Sequence, residues 1–220
     1  MLAVSFIWIC ASSSSFAQDI LVPMDESQAD HLKAYGVTFW ALERSVDVDW
    51  LLNYRGGSFL FVQQPDIESE LRVRGVTYEI LSGSQTAAVI SSVESDANNT
   101  SMVRLEKPPR IAVYAPKQTL PWDDAVLLAL TYAEVPYEMI YDDDVLNGAL
   151  EDFDWVHLHH EDFTGQYGKF FNYRATPWYI EQQRQAEISA RTHGFRKVSA
   201  LKLRVVTIIK EYVAGGGFLF

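Results

Sequence analysis

Cysteine is almost missing from this chain: among 220 residues only Cys10 is one, and it falls in the apolar stretch 1–17. Once that stretch is removed, disulfides, thiolate metal ligands and a cysteine nucleophile are all excluded within the remaining sequence. Basic runs are missing as well. A net charge of −11 without a concentrated Lys/Arg face excludes nucleic acid as a partner, because phosphate neutralisation needs such a face. Neither GxGxxG nor GxxxxGK[ST] occurs, and the glycine turns at 56–57 and 215–217 precede strands, the reverse of a dinucleotide loop. No G-x-S-x-G elbow is present to carry a serine nucleophile. Beyond residue 17 no apolar run is long enough to span a bilayer.

What is there belongs to an ordinary globular protein, with 48% hydrophobic and 21% charged residues. Residues 1–17 are uncharged, apolar and Ser-rich, and end in Ser15-Phe16-Ala17, a small-x-small pattern before Gln18. They read as a signal peptide cleaved near Ala17, although a basic n-region is missing, so a secreted or periplasmic location is expected.

The remainder reads as an N-terminal α/β region over 18–93, a linker over 94–109 and a second α/β domain over 110–220. Helix-then-strand units recur: a helix over 28–35 and a strand over 37–42, a helix over 70–74 and a strand over 76–81, a helix over 125–134 and a strand over 135–141. Residues 49–53 read as helical, 58–62 as a strand and 84–93 as a helix. Residues 110–116 and 155–159 read as buried strands, and 177–193 and 197–213 as helices. Repeated units of this kind predict α/β folding on parallel sheets, a three-layer Rossmann or flavodoxin-like architecture in two regions. The apolar close Gly215-Gly216-Gly217-Phe218-Leu219-Phe220 reads as an incomplete second domain.

Three of the five histidines lie in Trp-Val-His-Leu-His-His-Glu-Asp, residues 155–162. On a strand, His157 and His159 point to one face and Val156 and Leu158 to the other. His160, Glu161 and Asp162 then reach the carboxyl edge, where parallel sheets bind ligands. Three readings stay open. His160 and Glu161 are candidate acid/base residues. His159, His160, Glu161 and Asp162 are candidate ligands of a divalent metal, the one cofactor the residues admit, although neighbours on a strand face opposite ways. Otherwise the histidines are hydrogen-bonded at a sheet edge, with the acids capping a helix. The run Asp142-Asp143-Asp144 reads as a solvated loop and helix cap, or as a hard-cation site. Tyr167 and Trp178, within an aromatic stretch, are candidate contacts for a glycan, peptide or small-molecule ligand, with core packing the alternative role of that stretch.

The string from Asp152 to Gly168 (DFDWVHLHHEDFTGQYG), together with Pro-Met-Asp-Glu-Ser-Gln at 23–28 and Trp-Leu-Leu-Asn-Tyr-Arg-Gly-Gly at 50–57, resembles secreted bacterial proteins commonly labelled asparagine synthetase B. The second region also resembles the class I glutamine amidotransferase-like fold, a flavodoxin-like sheet. That resemblance implies an exported amidotransferase-like protein, in which the glycine turn and strand at 215–220 lead to a nucleophile elbow beyond Phe220. The family's N-terminal cysteine and its Ser-Gly-Gly-x-Asp loop for ATP have no counterpart here. The resemblance therefore carries a fold and a label, and no catalytic residue. The alternatives are a non-catalytic envelope protein that binds glycan or peptide, and a His/acid metal hydrolase.

Overall fold

The computed structural model describes residues 18–95, 97–116, 124–159, 163 and 172–220. The expected signal segment 1–17, and His160, Glu161, Asp162 and Tyr167, lie outside the described residues. The fold is mixed α/β in two compact units, the second starting at Lys107.

In the first unit, β1 (Gln18–Val22), α1 (His31–Glu43), β2 (Val48–Leu52), β3 (Ser58–Val62), α2 (Pro65–Val73), β4 (Glu79–Ser82), α3 (Gly83–Val93) and β5 (Ser101–Leu105) build a five-stranded sheet. Its order is β4-β1-β3-β2-β5, and every neighbouring pair is antiparallel. Alternation sorts the strands' side chains onto two faces. Ile20, Val22, Val48, Phe59 and Phe61 pack with α1 and α2, while Leu21, Leu51, Leu60 and Leu81 meet Val93 of α3.

Four expectations are corrected here. The parallel arrangement expected for this region is replaced by antiparallel pairing. The expected helix 28–35 and strand 37–42 are one helix, because Ala34, Val37, Thr38 and Ala41 form a single buried stripe at helical spacing. Asp30 starts that helix by accepting the Lys33 N–H at 2.9 Å, and Thr38 spends its hydroxyl on the Ala34 carbonyl at 3.0 Å. Of residues 49–53, read as helical, 49–52 belong to strand β2 and Asn53 opens the turn after it. The expected linker 94–109 contains β5, an edge strand paired with β2; its side chains are mostly exposed, so it lacks the apolar alternation that marks a half-buried strand.

The second unit contains β6 (Ile111–Tyr114), α4 (Ala125–Ala133), β7 (Glu138–Ile140), α5 (Asp142–Leu146), a 3-10 turn (Ala149–Asp152), β8 (Trp155–Leu158), α6 (Pro177–Thr192), α7 (Val198–Ala214) and β9 (Phe218–Leu219). Here the sheet is parallel, in the order β7-β6-β8-β9. Ala112, Tyr114 and Val156 pack with α5, α6 and α7, and Val113 and Ala115 pack with Leu127 of α4. The chain enters β9 through Gly216 at φ +103°, and a Cβ on Gly217 would meet the Tyr212 ring. Among the described residues no helix is long and apolar enough to cross a membrane.

Candidate functional site

The carboxyl ends of β6, β7 and β8 gather the buried ionisable groups of the second unit. On one face, Tyr114 closes β6 and Asp142 follows β7 by two positions, so parallel pairing brings them together. The Tyr114 hydroxyl donates to Asp142 Oδ1 at 2.5 Å. Lys202 arrives from α7, where Val198, Leu201, Val205 and Ile209 form the buried stripe and Lys202 occupies a core position among them. Its Nζ lies 3.0 Å from Tyr114 Oη, 3.1 Å from Tyr141 Oη and 2.9 Å from Asp142 Oδ2. The lysine and aspartate side chains are only 5% and 4% exposed. Taking both charges out of water is tolerable only because each is paired and hydrogen-bonded. Phe163 stacks on Tyr114, ring centroids 5.2 Å apart, and covers the cluster.

On the opposite face, Asp124 caps α4 by accepting the Val126 and Leu127 N–H groups at 2.7 and 3.1 Å. His157 Nε2 donates to the same carboxylate at 3.2 Å. A carboxylate can only accept, so this contact places a proton on Nε2 and, in the neutral imidazole, a lone pair on Nδ1. Nδ1 is buried and, among the described residues, has no hydrogen-bond partner. Burial raises the Asp124 pKa, but the hydrogen bonds from Leu127, His157 and Val126 outweigh it and hold the carboxyl below its ordinary value. The His157 ring also lies 5.8 Å from that of Phe220.

Of the four expected metal ligands only His159 is described. It is buried, and its backbone N–H donates to the Tyr114 carbonyl at 3.2 Å, continuing the ladder past β8. Among the described residues no three His, Cys, Asp or Glu side chains are grouped to hold a metal ion. The acidic run is divided among three tasks. Asp142 pairs with Lys202, Asp143 accepts from Ser189 and contacts His193 Nε2 at 3.0 Å, and Asp144 caps the Tyr141 N–H at 2.9 Å. The solvated-loop reading therefore fails for Asp142, which is buried. Trp178 is half exposed, its ring 5.8 Å from those of Tyr173 and Tyr179.

Sequence reasoning passed over Tyr114, Asp124 and Lys202 as site residues. One signal for Lys202 was present: a lone lysine in step with Val198, Leu201, Val205 and Ile209, where an apolar side chain is the ordinary choice.

No protein-family model, curated protein or solved structure matches this chain.

Proposed function

We propose that the chain is an exported protein whose second unit is an amidotransferase-like domain of the flavodoxin-like, three-layer type. It takes a small amide-bearing substrate or ligand at the carboxyl ends of β6 and β8. The observation that carries the reading is strand order. Numbered within the unit, β7-β6-β8-β9 runs 2-1-3-4, the beginning of the flavodoxin-like order 2-1-3-4-5, in which ligands bind at the switch point between strands 1 and 3. Here that point is the join of β6 and β8, flanked by Asp124 and His157 on one face and by Asp142, Lys202 and Tyr114 on the other. The resemblance of residues 152–168 to secreted proteins labelled asparagine synthetase B points the same way. Every described element of the first unit lies after Ala17, the expected cleavage point.

In this reading the Asp124 carboxylate orients His157 and holds its proton on Nε2, leaving Nδ1 able to accept one. Calorimetric titration of the purified protein with L-glutamine and L-asparagine tests the proposal. Saturable binding of one amide is expected, about tenfold weaker in His157→Gln, a loss of one to two polar contacts. No binding at millimolar ligand, or binding indifferent to His157→Gln, overturns it. Loss of binding in Trp178→Ala alone would favour the glycan- or peptide-binding reading through the half-exposed Tyr173 and Trp178 pair.

A further inference from the structure

In the first unit, α3 covers only part of its sheet face. It seals Leu21, Leu51, Leu60 and Leu81, and beside it a cavity of about 470 Å³ opens onto the same face. Leu60 and Val62 of β3 form the floor, Asp19, Asp47, Asp49 and Arg104 the rim, and Thr86 of α3 one wall. The volume suits a small organic ligand.

Strand register fixes where the carboxylates stand. Asp19 pairs with Val62 across β1 and β3, and Val48 pairs with Phe61, so Asp47, one residue earlier, falls beside Val62 from the other side. Two interstrand spacings put the backbones of Asp19 and Asp47 about 10 Å apart. Between them Val62 is 59% exposed.

Arg104 is committed to its neighbours. It forms a bidentate pair with Asp49 at 2.8 and 2.9 Å and lies 3.6 Å from Asp47. Asp19 accepts from the Thr86 hydroxyl at 2.8 Å. Three carboxylates against one guanidinium leave the rim negative, which disfavours an anion, and the separation of Asp19 from Asp47 disfavours a single metal ion. A ligand with two positive ends and an apolar middle satisfies the charge, the spacing and the floor together.

We propose that this cavity binds a linear aliphatic diamine or polyamine, one ammonium group at Asp19, another at Asp47, and the methylene chain across Val62 and Leu60. The site lies wholly in the first unit and does not depend on the function proposed for the second.

Calorimetry on the full chain with 1,5-diaminopentane and with n-pentylamine tests it. The diamine binds saturably and the monoamine about fivefold more weakly or worse, the factor that a second exposed ion pair supplies. Asp19→Asn and Asp47→Asn each reduce the diamine to the affinity of the monoamine, and salt at about 0.5 M weakens it further. Val62→Lys, at an exposed position, lays an ammonium across the floor and abolishes binding. Failure of the diamine to bind, equal affinity for the two amines, or unchanged diamine affinity in Asp47→Asn overturns the proposal. Asp47→Asn keeps the test decisive if Asp19→Asn unfolds on losing Thr86, since Asp47 meets its neighbours through the 3.6 Å approach of Arg104.

Discussion

The two units place charge differently. In the first, the pairs of Arg55 with Asp25 and Glu79 and of Arg104 with Asp49 stand at the surface, on a sheet packed on both faces by aliphatic and aromatic side chains. Only Arg74, paired with Glu70, is nearly buried among the pairs described there. In the second, the pairs Lys202 with Asp142 and His157 with Asp124 are sunk at the ends of the strands. Sheet direction explains part of this. Antiparallel strands return by short turns and scatter their ends to both edges, whereas parallel strands bring all their carboxyl ends to one edge. Buried charge is costly unless it is paired, so its concentration at that edge is the stronger sign of a functional site. Surface pairs of the first unit carry no such cost.

The sharpest break of that contrast is Lys202→Met. Removing one partner of a buried pair strands the other charge, and a loss of about 3–5 kcal/mol of stability is expected. Chemical denaturation measures it. The double variant Lys202→Met with Asp142→Asn should regain part of the loss, because the uncompensated carboxylate is gone. A loss below about 1 kcal/mol for the single variant would mean that the interior is wetter than the exposures of Lys202 and Asp142 imply.

These expectations also mark what the residues alone could tell. The second unit was legible: its strands at 111–114 and 155–158 and its helices over 177–192 and 198–214 are bounded by breakers and are long or apolar enough to be told apart. Direction in the first unit was not legible. A run such as Val-Thr-Phe-Trp-Ala-Leu has high β-propensity, yet Gly36 is absorbed within α1 and the stripe Ala34, Val37, Thr38, Ala41 buries better as helix. Alternation reports which face is buried and never which way the neighbouring strand runs. The candidate site was half legible for a similar reason. The histidine string identified the strand and its edge, but Tyr114, Asp142 and Lys202 meet only through tertiary packing across 28, 60 and 88 residues.

A smaller effect is expected at Asp124, which both caps α4 and holds His157. Asp124→Ala should cost about 1–2 kcal/mol at neutral pH, mostly the lost cap. The pH dependence tests the same residue. Its folded pKa is held below the ordinary carboxylate value near 3.8, so its contribution is fully present above that value and is lost as pH falls toward the folded pKa. Stability curves of the two proteins should therefore converge in acid. Curves that stay parallel down to about pH 2 would show that the His157 contact and the cap add nothing in the charged form.

The smallest effect belongs to the surface of the first unit, at Arg55. Its guanidinium donates to Asp25 at 2.7 Å, to Glu79 at 2.8 Å and to Ser27 at 3.3 Å, and it holds Asp25 down to about 2 from 3.8. Three partners look like a strong anchor, but the side chain is 30% exposed, and solvent screening limits the value of such pairs. Arg55→Ala should cost no more than about 1 kcal/mol, read as a small shift of the denaturation midpoint that shrinks in high salt. The backbone supplies a control, because Arg55 sits at φ +45°, a left-handed conformation that strains any residue with a Cβ. Arg55→Gly removes the same ion pairs while relieving about 1 kcal/mol of that strain, so it should be more stable than Arg55→Ala and close to wild type. If both variants lose several kcal/mol, the Asp25, Arg55 and Glu79 cluster acts like the buried pair of the second unit, and the contrast between surface and interior charge fails at its most favourable position.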